Sequence, residues 1–249
     1  MKTSTLVVVF ADVDDTLITT TRECPAGGGE AVALDSKGEI CGFLTAKQAM
    51  FVKWLSAGAL IVPTTARTTC AHKRIKLPFA SHAIVSFGGV ILTPDGVPEP
   101  RWHEHMVVVS ATHHDTLQTL LALMQRTSIE KHMDARSRIT TDCGLPLFLS
   151  VKHNQQNLGE LNCLKDTLKA ALPPGWQLHA NGNFLGALPP GIGKEHAVRW
   201  FLEYLAEPGA FTIGMGDSLT DLPFMSLCDL ALMPSASQNF STLMQGVTP

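Results

Sequence analysis

The sequence predicts an α/β protein in which a core built on a parallel sheet is interrupted by a smaller inserted α+β domain. Three observations lead there. Runs such as "LVVVFA", "ALIVP" and "AFTIGM" are apolar throughout or nearly so, with helical patterns between them, as in parallel sheets covered on both faces. Through residues 101–188 strands and helices bunch together, the signature of an antiparallel α+β unit. From Lys194 the earlier alternation resumes, so the chain reads as a core of residues 1–100 and 189–249 around an insert of residues 101–188.

The first strand is "STLVVVFAD". Lys2 followed by "LVVVFA" mimics a short signal peptide, but the run is brief and meets Asp12 instead of a small-residue cleavage site. Residues 18–44 form a long insertion, with a turn-like "CPAGGGE" and a hairpin pattern around Lys37-Gly38. Thr45 is placed to N-cap a helix "AKQAMFVKWLSAG", whose apolar residues include Met50, Val52, Trp54 and Leu55 and which Gly58 closes. The strand "ALIVP" leads into "TTAR", and "HAIVSF" with "GGVILTPDG" reads as a third strand and a hairpin. In the insert, a strand-like "MVVVS" precedes helical "TLQTLLALMQR", strand-like "LPLFLSV", helical "LGELNCLKDTLKAAL" and strand-like "WQLHA". "LPPGIG" links back to helix "EHAVRWFLEYLA", strand "AFTIGM", acidic loop "GDSLTD" and a last strand around "LALM".

Composition narrows the function classes. With 249 residues, 45% hydrophobic and 16% charged, the chain is globular. A net charge of −3 gives no broad basic surface, which argues against nucleic acid as a partner. No apolar stretch approaches the ~20 residues that span a bilayer, so no membrane partner is expected. The six cysteines (Cys24, Cys41, Cys70, Cys143, Cys163, Cys228) form no C-x-x-C pair, as free thiols in a reducing cytoplasm would not. "WHEH" and "THHD" lack a third ligand at metal-binding spacing and read as solvated surface. Homo-oligomerisation is left open.

Four segments fall where buried strands should end: Asp12 and Asp14 after the first, Thr65 after the second, Lys194 at a helix start, and Asp217 with Asp221 in "GMGDSLTD". Open parallel sheets gather ligands at the carboxyl ends of their strands. Carboxylates are hard oxygen ligands suited to Mg²⁺, and a lysine and a hydroxyl donate to phosphate oxygens. Each residue also has a plain structural reading: an acidic strand cap, a helix N-cap at Thr65, a solvated helix start at Lys194, and a Gly-Asp turn.

Together these segments resemble the haloacid dehalogenase superfamily of phosphohydrolases. "DVDDTL" is similar to its first motif, "VPTTAR" to its second, Lys194 in "GIGKEHAVRWF" to its third and "GDSLTDLPFM" to its fourth. The long insert between the second and third motifs matches the subgroup with an α+β cap there, which includes Cof-type, sucrose-phosphate and mannosyl-3-phosphoglycerate phosphatases. The resemblance implies a Rossmann-like parallel sheet core with a smaller cap, and a Mg²⁺-dependent phosphatase acting on a small phosphorylated metabolite, a sugar phosphate or phosphoglycerate derivative. It implies Asp12 as nucleophile, Asp14 as general acid and base, and Thr65 and Lys194 on the phosphate. Asp12, the Asp14 carbonyl and Asp217 would hold the metal, with Asp221 orienting that shell or Lys194. Asp15 varies in the family and reads as an exposed turn residue, and Arg67 reads as structural. Ala66, Phe87 and Thr220 depart from the family pattern, and the 18–44 insertion is longer than the subgroup's. Polar groups of "SVKHN" and "ANGN", with Arg138, are candidates for reading the leaving group or solvated loops. Two other functions share these residues: a phosphomutase, which returns the phosphoryl group to its substrate, and a receiver-like module phosphorylated on Asp12 as a signal, for which about half this length would suffice.

Overall fold

The computed structural model describes residues 6–246, so Lys2 and the start of "STLVVVFAD" lie outside the described residues. The elements run β1 (Val7–Ala11), β2 (Glu30–Leu34), β3 (Ile40–Leu44), α1 (Ala46–Ser56), β4 (Leu60–Pro63), α2 (Thr69–His72), β5 (Ala83–Val85), β6 (Val90–Leu92) and α3 (Pro100–Glu130). They continue through β7 (Ala135–Asp142), β8 (Leu145–His153), α4 (Leu158–Ala171), β9 (Gln177–Asn181), β10 (Phe184–Leu188), α5 (Lys194–Tyr204), β11 (Phe211–Met215), α6 (Leu222–Met225), β12 (Leu230–Leu232) and α7 (Gln238–Gln245). They fall into two compact units, one running to Glu99 and resuming at Lys194, the other Pro100–Gly193. Among the described residues no helix is long and apolar enough to cross a membrane.

The first unit is built on a parallel sheet of order β12-β11-β1-β4. β1 is buried on both faces. Phe10 meets Phe201 of α5 edge-on at 5.2 Å, while Val9 and Ala11 join Val52 and Leu55 of α1 in one apolar cluster. α1 starts as its sequence predicts, with Thr45 and Gln48 forming a reciprocal capping box. Its apolar stripe is narrower than expected, because Met50 and Trp54 point to solvent. The 18–44 insertion is a β2–β3 hairpin rooted in the core through Val32, Ala33, Phe43 and Leu44. Its turn passes through Gly38 at φ 81°, a conformation glycine adopts without cost, and Arg22 clamps it by pairing with Asp35 and Glu39.

His72, at the end of α2, stacks on Phe79 with ring centroids 5.8 Å apart. Burial, reinforced by Arg67 and Lys73, pulls its imidazole down to about 4, so it stays neutral in the fold. An unfolded histidine titrates near 6.5, so acid protonates the unfolded chain first. Stability from the neutral ring is complete above pH 6.5 and is lost as the pH falls towards 4, by about 3 kcal/mol in all. The melting temperature of the wild type should therefore drop more steeply from pH 7 to 4 than that of His72→Phe. Parallel curves would contradict this.

The second unit packs α3 and α4 on one face of the antiparallel sheet β7-β8-β10-β9, with Leu117, Leu120, Met124, Leu161, Leu164 and Leu168 against Leu149, Val151, Leu185 and Ala187. "MVVVS" corrects the sequence reading, since it lies inside the 31-residue α3. Trp102, Met106, Ser110 and Leu117 supply a buried helical stripe there, and Val107 and Val108 face solvent. Tertiary burial at helical spacing outweighs the β-propensity of three valines.

Candidate active site

The ends of β1, β4 and β11 are level, because Ala11 registers with both Pro63 and Met215. The chain leaves β1 towards β4 on one side and β11 on the other, so strand order reverses at β1, where open parallel sheets leave a crevice. Asp12 donates its backbone N–H to the Met215 carbonyl at 2.8 Å, and Thr64 donates to the Ala11 carbonyl at 2.7 Å. These bonds set Asp12, the Thr64-Thr65 pair and the Gly216-Asp217 turn around one point.

Lys194 reaches that point from the first turn of α5. Lys194, Ala197, Val198 and Phe201 make one buried stripe, and Phe201 anchors it on Phe10 two residues before Asp12. The lysine is 6% exposed, and its Nζ donates to Asp12 Oδ1 and Asp221 Oδ1, each at 2.7 Å. This excludes a solvated helix start. Asp221 accepts from the Ser218 N–H at 3.0 Å and hydroxyl at 2.7 Å. A Cβ on Gly216 would lie 2.4 Å from the Cβ of Asp221, so only glycine lets this carboxylate fold back onto Lys194.

Asp14 takes a different partner from the other carboxylates. Arg67 Nε donates to its Oδ2 at 2.8 Å and Nη2 to its Oδ1 at 2.7 Å, a two-pronged grip. Arg67 is thus not merely structural: it holds the side chain read as general acid. Burial opposes the guanidinium charge, but Asp14 and then the Cys41 thiol on β3 outweigh it and hold Arg67 above its ordinary range. The inserted hairpin therefore reaches the site through Cys41. The Thr65 hydroxyl oxygen accepts from the Arg67 N–H at 3.1 Å, which leaves its proton to give. Thr65 is not a helix cap, since α2 starts at Thr69 with Thr68 capping it. Asp15 lies at φ 58° and accepts from Thr20, an exposed turn as expected. Behind the site, Ser86 and Phe87 adopt left-handed φ of 52° and 56°, which bring the Ser86 N–H to the Arg67 carbonyl and the Phe87 N–H to the Thr65 carbonyl. The backbone keeps a shape that Asn-Gly would take more easily, at a cost of about 1–3 kcal/mol per residue.

The electrostatics are those of crowded carboxylates. Burial pushes Asp12 well above the usual carboxylate range; Lys194 pulls it back and Asp221 and Asp14 push it up again. Burial alone would lower Lys194, but Asp12 and Asp221 outweigh it and raise it. For Asp221 burial is likewise overcome, by Lys194 and Ser218, and the carboxyl is lowered. Asp217 is pushed up to about 6 by burial, then by Asp221 and Asp15. Its side-chain hydrogen bond comes from the Thr16 hydroxyl at 3.4 Å, and among the described residues no lysine or arginine pairs with it.

Asp12, Asp217 and Asp221 each offer a carboxylate oxygen within 4.8 Å of the others. An all-oxygen set with surplus negative charge and a weakly compensated Asp217 fits a hard divalent cation such as Mg²⁺. The expected metal residues Asp12 and Asp217 are brought together, with Asp221 added to them, while the Asp14 side chain is turned to Arg67.

No protein-family model matches the chain, and no curated protein matches it in sequence. Solved structures do. The sucrose-phosphatase of Synechocystis, solved with sucrose and phosphate, superposes with a TM-score of 0.59 at 14% identity, over 98% of this chain and 97% of that one. The IMP-nucleotidase of Plasmodium falciparum gives 0.58 at 14% identity, over 98% and 68%. A Thermoplasma acidophilum protein gives 0.57 at 14%, over 96% and 89%. At this identity the likeness to these structures is one of fold.

Proposed function

We propose that the chain is a Mg²⁺-dependent phosphatase that hydrolyses a small phosphorylated metabolite, a sugar phosphate or phosphoglycerate derivative, through an aspartyl-phosphate on Asp12. The observation that carries this reading is Asp12 at the end of β1, one oxygen bonded to a buried Lys194 and the other accepting no hydrogen bond from the described residues. A carboxylate so placed is a competent nucleophile towards phosphorus. The sucrose-phosphatase likeness in fold supports the substrate class.

In the first half-reaction a bond forms between Asp12 oxygen and phosphorus as the ester P–O bond breaks. The leaving oxygen takes a proton from Asp14, and Lys194 balances the charge of nucleophile and phosphoryl group. The Thr65 hydroxyl donates a hydrogen bond to a phosphoryl oxygen. In the second half, a water oxygen bonds to phosphorus, the acyl-phosphate P–O bond breaks, and Asp14 accepts the water proton. The two-pronged Arg67 contact suits the form of Asp14 that accepts the water proton in the second half, so acting as the acid in the first half requires that contact to open and the carboxyl to carry a proton. When bound among Asp12, Asp217 and Asp221, with the Asp14 carbonyl, Mg²⁺ supplies Lewis-acid polarisation and a template.

The test is inorganic phosphate release from a panel of phosphorylated sugars, glycerates and nucleotides. Excess chelator should abolish release, and Mg²⁺ should restore it. Full activity in chelator would contradict the metal site. Isomer formation without phosphate release would identify a mutase, and stable phosphorylation without turnover a receiver-like module.

A further inference from the structure

In the antiparallel sheet of the second unit, one face carries the α3 and α4 packing and the other carries cations. The β7–β8 register places Arg136 opposite Lys152 and Arg138 opposite Ser150, while Ser137 and Ile139 alternate to the helix-covered side. Arg136 and Arg138 are therefore about 7 Å apart along one strand. Lys152 stands directly across from the first, at a Cβ separation of about 5 Å. "SVKHN" is thus not a loop up to His153, and Arg138 and Lys152 share one surface. Like charges directly across a sheet repel and destabilise it. No carboxylate answers them: among the described residues none of the three makes an ion pair or a side-chain hydrogen bond to an acid. Burial first, and then Arg136 and Arg138, lower the Lys152 ammonium from its ordinary range, in keeping with the three cations standing together. The Lys152 ammonium lies 5.5 Å from the centre of the Phe184 ring on the neighbouring strand, which fixes its place in the cluster. Beside the cations, Thr140 and Ser150 are buried and share a 2.5 Å hydrogen bond.

We propose that this sheet face binds a phosphoryl group of a small ligand through Arg136, Arg138 and Lys152. Three donors at the corners of a triangle match the three oxygens and double charge of a phosphoryl group better than the two oxygens of a carboxylate. An anion there removes the like-charge repulsion, so occupancy and sheet stability rise together.

The experiment is calorimetric titration of the full chain, in excess chelator, with inorganic phosphate and separately with glycerol 3-phosphate. Wild type is compared with the double variant Arg138→Gln/Lys152→Gln and with Lys152→Arg. Affinity should fall at least tenfold in the double variant and persist in Lys152→Arg. Equal affinity for both probes identifies the phosphoryl group alone as the ligand, and a tighter glycerol 3-phosphate identifies an organic ester. Identical binding in wild type and double variant would overturn the proposal, as would tricarballylate binding as tightly as phosphate. p-Nitrophenyl phosphate turnover with Mg²⁺ is measured on the same preparations. Its absence in every chain would count against the phosphatase reading and leave the binding comparison intact.

Discussion

Asp12→Asn eliminates phosphate release, by on the order of 10⁴–10⁶-fold, while leaving the chain folded. The amide keeps the shape of the carboxylate but cannot attack phosphorus, and no other carboxylate replaces it: Asp221 is turned to Lys194 and Ser218, and Asp14 is gripped by Arg67. The stability outcome separates this account from a structural role for Asp12. Burial raises the Asp12 carboxyl above its ordinary range, so its ionised form opposes folding near neutral pH. Lys194 retains Asp221 as a partner in the variant. The metal-free variant should therefore melt no lower than metal-free wild type. A loss of several degrees together with the activity would mean that Asp12 chiefly holds Lys194 in place.

Much of the site was legible in the sequence because it sits where regular structure ends. A β-branched run, an acidic pair and a threonine mark the end of β1 whatever the remainder of the chain does, and the same holds for Thr65 and Asp217. Contacts across the fold were not legible. Arg67 follows Thr65 by two residues, but its engagement of Asp14, 53 positions away, depends on β1 and β4 being neighbours in register. The Cys41 contact depends further on how the hairpin lies on the core. "MVVVS" reads as a strand by local propensity, which is weak evidence against a buried stripe running along a 31-residue helix. The cationic sheet face needed the β7–β8 register, which no single strand contains.

Asp14→Asn should split the two half-reactions. A sugar phosphate has a poor leaving group, and losing the acid should cost about 10²–10⁴-fold. p-Nitrophenyl phosphate leaves without a proton, so its first half-reaction should proceed nearly as in wild type. The second half lacks its base with either substrate. The variant should therefore release a burst of nitrophenol, one equivalent per site, followed by slow turnover. Arg67 loses an ionic partner in this variant, which costs about 2 kcal/mol of stability, so the comparison belongs at a temperature well below melting. Equal slowing on both substrates with no burst would contradict Asp14 as general acid and base.

That burst supplies the most direct test of Asp12 as the covalent nucleophile. Asp14→Asn is mixed with p-nitrophenyl phosphate and Mg²⁺, quenched in acid after the burst, reduced with borohydride and digested for peptide mass spectrometry. An aspartyl-phosphate at residue 12 would be reduced to homoserine at that position alone, in an amount equal to the burst, and would vanish when Asp12→Asn is added to the same chain. A burst with Asp12 unmodified, or homoserine at Asp217 or Asp221 instead, would contradict the account.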